Sequence, residues 1–274
     1  MGKLVNQNKK ESTTSLKNMI NDERTKKHFQ DLLGKKTQGF LVSLLSIANN
    51  NKLLANADPS SILKAGATAA TLDLPVDQNF GYAYIVPYKD NKKGVIEAQF
   101  QMGYKGYIQL AIRSGQYHKI NTTELYEGQF ISYDPITDEL VYDLEARISD
   151  KVTHYVAYFK TMNGFEKYYL MSREEVEKHA KTFSQSYKKG FGVWADNFDM
   201  MATKTVLKLL LSKFGILSIE MQTAVKADQA VIKEVDGNNV EVEYVDNSDI
   251  EINEIEESDY EESTEDDFNS EEEF

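Results

Sequence analysis

Three arrangements in this chain carry cations at spacings that suit a row of phosphates. Lys105, Gln109 and Arg113 lie at i, i+4 and i+8, so a helix starting near Lys105 sets them on one face. Two cations with an amide between them form a ladder for successive phosphate groups. The opposite side of that helix is expected to carry Ile108, Ala111 and Ile112. Gly103 and Gly106 would let another backbone approach closely, and the helix start would offer free backbone N–H groups to an anion. A solvated surface helix would show the same spacing. The second arrangement is a narrow polar stripe on a long apolar helix: Asn197, Lys204 and Lys208, with Met201 between. A lysine on a mostly buried helix needs a partner or a path to water. A phosphate would be one such partner; snorkelling to solvent is the alternative. The third arrangement is Lys188-Lys189-Gly190-Phe191-Gly192-Val193-Trp194. Its rings could stack on bases for roughly 1–3 kcal/mol each, or plug the core, which is the expected place of the single tryptophan, Trp194.

Signals for catalysis are poor. Gly34-Lys35-Lys36-Thr37 resembles the end of a phosphate-binding loop, but the upstream glycine is missing. The four histidines, His28, His118, His154 and His179, show no metal-ligand spacing. Asp196 and Asp199 are close together, and Asp196 reads best as a helix N-cap. No catalytic residue, metal or cofactor is expected. A metal-dependent nuclease built from dispersed carboxylates is the enzyme alternative.

The elements that must position these residues follow from periodicity and punctuation. Phe29, Leu32 and Leu33 share a helix face that Gly34 stops, and Phe40, Leu41, Leu44, Leu45 and Ile47 make a second amphipathic helix. Asp58-Pro59 opens a third, with Asp as N-cap and Pro at the first helical position. From Gly81 the pattern turns to strands: 82–86, a turn at 90–94, a return at 95–102, and further strands around 117–126 and 139–144. Val152 to Met171 reads as a hairpin with Asn163-Gly164 as its turn. Ser172-Arg173-Glu174-Glu175 is a capping box. A long helix then runs from about Asp196 to Phe214, with Gly215 as its stop. Helices, then strands, then helices argue for one α+β domain with a small twisted antiparallel sheet and packed helices.

Charge is segregated. Residues 226–274 hold 20 Asp and Glu against 2 Lys and Arg, whereas residues 1–225 hold 29 basic against 24 acidic residues. A mildly basic body therefore carries an acidic tail, a pattern associated with nucleic-acid binding. The expected organisation is a mobile polar arm over 1–20, a core over 21–225 and a disordered acidic tail over 226–274. In the tail, Phe268 and Phe274 sit among carboxylates and could dock a partner's basic, apolar pocket, or the tail could cover the chain's own groove. Cysteine is absent, the first ten residues are polar and no stretch is apolar enough to cross a membrane. These features lead to the expectation of a cytoplasmic protein without a membrane partner.

Several ordered blocks resemble the RecT family of phage single-strand annealing proteins: residues 69–75, 81–88, 98–111 with 113–115, 201–207 and 216–222. The resemblance covers about residues 29–225. It implies a DNA-recombination protein that binds single-stranded DNA and its annealed duplex, assembles into rings or helical filaments, and works beside an exonuclease or a host single-strand-binding protein. It also implies a core distantly similar to Redβ-type annealing proteins. The family's basic groove maps onto Lys105, Gln109, Arg113, Lys204 and Lys208, with Gln101, Tyr104, Lys188 and Lys189 as further candidate contacts. A passive strand-coating protein is the remaining alternative.

Overall fold

The computed structural model describes residues 15–243 except 91–93, 189, 191, 229, 237 and 238. Polar side chains start the helices and apolar faces join them. Asp22 separates α1 (Leu16–Asn21) from α2 (Glu23–Leu33), and its carboxylate accepts from the Arg24 and Thr25 amides. The last residues of the expected polar arm are thus helical, because Ile20 is buried against the core. α2 ends at Gly34, whose φ of 54° suits a residue without a Cβ. α3 (Thr37–Asn50) buries Leu41, Leu44 and Ala48. α4 (Pro59–Thr71) begins as expected, with the Asp58 carboxylate accepting from the Ser61 amide. Its small residues bring it close to α3: a Cβ at Gly66 would lie 2.8 Å from a Leu44 methyl.

β1 (Ala83–Asp90) and β2 (Val95–Met102) pair antiparallel and lead into α5 (Tyr104–Arg113). β3 (Tyr117–Tyr126) is followed by a hairpin, β4 (Phe130–Asp134) and β5 (Glu139–Tyr142). The β4 strand lacks the alternating apolar pattern that identifies a half-buried strand, which hid it from the sequence. β6 (Val152–Thr161) and β7 (Glu166–Ser172) form the expected hairpin, with Gly164 at φ 93° in its turn. The Ser172–Glu175 capping box opens α6 (Arg173–Phe183) with both of its hydrogen bonds present. Two short helices follow, α7 (Gln185–Lys188) and α8 (Val193–Asp196), one on each side of Gly190. α9 (Phe198–Phe214) is the long helix and stops at Gly215. Its N-cap is Asn197, not Asp196, which is the last residue of α8. α8 closes its own turn first, so the chain enters α9 one residue later than expected.

The expected start of the acidic tail is displaced. α10 (Ile219–Ala227), β8 (Ala230–Asp236) and β9 (Asn239–Glu243) all lie within or across it. α10 buries Met221, Ala224 and Ala227, and β8 pairs with β2, so this segment completes the fold despite its acidity. Phe268 and Phe274 fall outside the described residues.

The result is an α+β fold with, among the described residues, three small antiparallel sheets: β1-β2-β8-β9, β3-β6-β7 and β4-β5. The β3-β6-β7 sheet lies between two covers. α9 packs on the face carrying Tyr155 and Phe159, and the β4–β5 hairpin lies over the face carrying Val156 and Tyr158. Among the described residues, no helix is long and apolar enough to cross a membrane.

Candidate nucleic-acid interface

The α5 helix starts against the chain's own backbone. A Cβ at Gly103 would lie 2.0 Å from the Gly81 carbonyl oxygen, and one at Gly106 would lie 2.2 Å from that of Tyr82. Only glycine fits at either place, and the Gly103 amide donates to the Tyr82 carbonyl at 2.9 Å. The close approach read from these glycines is therefore to the 81–82 segment. The buried face of α5 carries Gly106, Tyr107, Leu110 and Ala111. Ile112, expected on that face, is exposed because Tyr107 and Ala111 turn the buried stripe away from it. Lys105 is exposed, Gln109 half-buried and Arg113 exposed, so the ladder follows the outer side of the helix. No side chain caps the helix start, which leaves its first amides in the orientation that favours an anion.

Beside this helix start is a cleft of about 210 Å³ lined by Gln78, Tyr84, Gln101, Tyr104, Met200, Met201 and Lys204, among others. β1, β2, α5 and α9 each supply part of it. It brings Lys204 of α9 beside Gln101 and Tyr104, which lie far from it in the sequence. Lys105 lies next to it, since a Cβ at Gly81 would be 3.3 Å from the Tyr84 hydroxyl and 3.5 Å from Lys105 Cδ. Burial, followed by the neighbouring Tyr104, raises the Tyr84 phenol above its ordinary value and keeps it neutral. Two phenol rings, three thioethers and two amides make a surface that takes a flat heterocycle by stacking and edge hydrogen bonds.

The two α9 lysines have a partner that sequence spacing does not reveal. Asp228, 1% exposed, accepts from Lys204 Nζ at 2.8 Å and from the Met102 amide at 2.9 Å through one oxygen. Its other oxygen accepts from Lys208 Nζ at 3.0 Å and from the Tyr107 hydroxyl at 3.1 Å. Burial opposes its charge, but Lys204 and Lys208 overcome that and hold the carboxyl at about 2. Burial lowers the Lys204 ammonium, Asp228 supports it, and Lys208 lowers it further. At 6% exposure Lys204 forms part of the cleft floor, and the phosphate expected beside it is replaced by this carboxylate. Lys208 keeps partial access to solvent. His179, close by on α6, is pushed down to about 4 by burial and then by Lys208.

The last rung of the α5 ladder is also engaged. Arg113 donates to the Leu72 carbonyl at 2.5 Å and to that of Asp73 at 3.4 Å, just past the C-terminus of α4. Unpaired carbonyls at a helix end attract such a cation. At the start of α9, Asp199 accepts from the Tyr155 hydroxyl and from Arg173 at 2.9 Å, while Arg173 lies over the Phe198 ring at 4.6 Å. Burial and then Asp199 raise the Tyr155 phenol. Trp194 is buried against Tyr187 and Phe198, as expected of a core plug. Lys188 lies on a separate surface with Lys178, Lys181, Glu174 and Glu177. Lys189 falls outside the described residues. Among the described residues, no group of three or more His, Asp or Glu is placed to hold a metal ion.

Residues 38–243 match the RecT family. The chain belongs to the RecT family. The matched region ends at the last residue of β9, in keeping with a core that extends past residue 225. The chain is 45% identical over 225 residues to the uncharacterized protein YqaK of Bacillus subtilis (strain 168), covering 82% of this chain and 76% of that one. It is 31% identical over 179 residues to protein RecT of Escherichia coli (strain K12), covering 64% of this chain and 65% of that protein. RecT-family membership makes this, in general terms, a DNA-binding protein of recombination and single-strand annealing.

Proposed function

We propose that this RecT-family chain binds single-stranded DNA along the outer side of α5 and the adjoining cleft, and pairs complementary strands without ATP. The observation that carries the reading is the meeting of Gln101 and Tyr104 with Tyr84 in one cleft, with Lys105 beside it. Lys105 and the first amides of α5 hold phosphate, and Gln109 adds a hydrogen bond along the backbone. Tyr84 and Tyr104 stack on the strand and keep it extended. The Watson–Crick edges stay outward, so a second strand can test them. Base stacking, at about 1.4 kcal/mol per step, then drives pairing, and no nucleotide hydrolysis is required. Lys204 and Lys208 contribute from below: with Asp228 they fix α9 against β2 and α5 and shape the cleft floor. Lys188 and Lys189 are candidate contacts of a second surface. Self-assembly into a ring or filament extends the groove from one subunit to the next. An exonuclease or a host single-strand-binding protein supplies the strand, and the acidic tail with Phe268 and Phe274 recruits that partner or covers the groove.

The test is pairing of complementary labelled oligonucleotides without ATP or divalent metal. Wild type accelerates pairing, and Tyr104→Ala with Lys105→Ala abolishes most of the acceleration. The log–log salt slope for single strands also falls by about 0.7, because one phosphate fewer is neutralised. Unchanged pairing by the double variant sinks the groove assignment. Strands that shorten when metal is added would identify a nuclease, and strands that bind but pair more slowly would identify a passive coat.

A further inference from the structure

Two lysine-bearing surfaces of this chain differ in what surrounds the charge. Lys178, Lys181 and Lys188 share theirs with Thr182, Glu174 and Glu177. Carboxylates already stand among those lysines, and no aliphatic or aromatic side chain is among the described residues that line the surface. The cleft at the start of α5 is the reverse case. Among the described residues that line it there is no carboxylate, and Tyr84, Tyr104, Met102, Met200 and Met201 make it apolar. Lys105 beside it is exposed, and the first turn of α5 has neither an acidic residue nor a side-chain cap. Such a cleft suits an aromatic ring that arrives with carboxylates next to it, because the ring takes the apolar walls while the carboxylates take the cation and the free amides.

A segment of that composition belongs to the chain itself. Residues 244–274 contain fifteen acidic residues and no basic ones, and Glu265-Asp266-Asp267-Phe268 sets three carboxylates directly before a phenyl ring. Strand register brings the start of this segment to the cleft. Gln99 of β2 pairs with Val231 of β8, and Val231 pairs with Glu243, the last residue of β9. Two strand spacings sideways and two residues along β2 therefore place Glu243 about 12 Å from Gln101 in the cleft wall. The 25 residues from Glu243 to Phe268 bridge that gap with length to spare, since each extended residue covers about 3.3 Å. A ligand tethered so near is present at an effective concentration on the order of millimolar, so a weak contact is enough to fill the cleft.

We propose that Glu265-Asp266-Asp267-Phe268 docks in the α5 cleft of its own chain, and that single-stranded DNA must displace it. The Phe268 ring enters between the tyrosines and methionines, and the carboxylates take Lys105 and the first α5 amides. Lys204 is already held by Asp228 and is not called on. The inference rests on the strand-binding reading of this cleft and names how that site is regulated. A strand gains the cleft only by supplying more phosphate and base contacts than four tail residues offer. Because the chain has no cysteine, an introduced pair reports the contact in the full-length protein without DNA. Gln78→Cys stands on the exposed cleft rim, and Asn269→Cys follows the ring directly, which leaves the docking residues intact. Oxidised glutathione closes this pair within one chain roughly tenfold or more faster than Thr182→Cys with Asn269→Cys, the same tail facing the other lysine surface. Phe268→Ala or an excess of oligothymidine slows closure to that control rate. Without the cysteines, Glu265→Gln, Asp266→Asn, Asp267→Asn and Phe268→Ala together tighten strand binding roughly tenfold at low salt, and less as salt rises. Closure no faster than the control, closure only between two chains, or closure indifferent to Phe268→Ala overturns the tail contact. Closure indifferent to oligothymidine, or tail substitutions without effect on strand binding, overturns the competition. The strand-binding reading is judged apart, by adding Tyr104→Ala and Lys105→Ala to the tail-altered chain. Strand pairing equal to that of the tail-altered parent sinks the DNA reading even where the cysteine pair closes; pairing lost there, with no closure of the cysteine pair, sinks the tail contact alone.

Discussion

α5 and α9 each carry two cations on one helical face, eight residues apart on α5 and four apart on α9, with opposite outcomes. On α5, Lys105 points to solvent beside the cleft. On α9, Lys204 and Lys208 turn toward one buried carboxylate, Asp228, which balances one of their two charges inside the fold. Spacing alone does not distinguish these cases, because i, i+4 periodicity records a shared face and not what lies opposite it. What lies opposite is set by tertiary neighbours. α5 has its helix start at an open cleft, whereas α9 is overlaid by the turn that follows α10. The same residue type therefore serves as a surface cation in one helix and as a structural clamp in the other.

The largest break in this comparison is Asp228→Asn. It keeps the shape of the side chain but leaves Lys204 buried without a counter-charge. Removing one partner of a buried ion pair costs about 3–5 kcal/mol. Urea unfolding is expected to register that loss, while Lys105→Ala is expected to stay within about 0.5 kcal/mol of wild type. Equal effects from the two substitutions would erase the distinction between the helices.

pH sharpens the same contrast. His179 is held at about 4 in the fold, against an ordinary value near 6.5, so the unfolded chain takes up its proton first. Stability attributable to this group is complete above about pH 6.5 and declines as pH falls to about 4, by on the order of 3 kcal/mol. His179→Gln is expected to flatten the stability curve across that window. Asp228, held at about 2, adds a further loss only below its ordinary value near 3.8, as pH falls toward 2. A wild-type curve that is flat from pH 6.5 to 4 would show that His179 is solvated and does not sense the Lys208 charge.

Local signals carried much of the architecture. Asp58-Pro59, the Ser172–Glu175 box, Asn163-Gly164 and Gly215 each act through neighbours a few residues away, and each is found where the sequence indicates. What escaped depends on partners distant in sequence. Asp228 is 20 residues or more from the lysines it holds and over a hundred from Tyr107 and Met102. It also sits at the head of an acidic run, where one essential carboxylate resembles its solvated neighbours. A clue was present in Ser218 followed by Met221, Ala224 and Ala227, a capped helix with one small apolar face that carries order past residue 225. Tyr84 escaped for a related reason: a tyrosine in a strand gives no sign of which cleft it lines.

Arg113 tests the comparison most finely, because it stands between the two cases. Its position continues the α5 ladder, about 12 Å along the helix axis from Lys105, yet its guanidinium already caps the carbonyls of Leu72 and Asp73. Asp73 in turn pairs with Lys36 at 2.8 Å. If capping is its main task, Arg113→Ala lowers stability by about 1 kcal/mol, the usual net worth of such a hydrogen-bonded contact. It then changes the salt slope of strand binding less than Lys105→Ala does. Arg113→Lys keeps the charge but loses the planar fork that reaches two carbonyls at once, so it recovers little of the stability. A slope change equal to that of Lys105→Ala, with unfolding unaltered, would return Arg113 to the phosphate ladder and extend the binding path along the full length of α5.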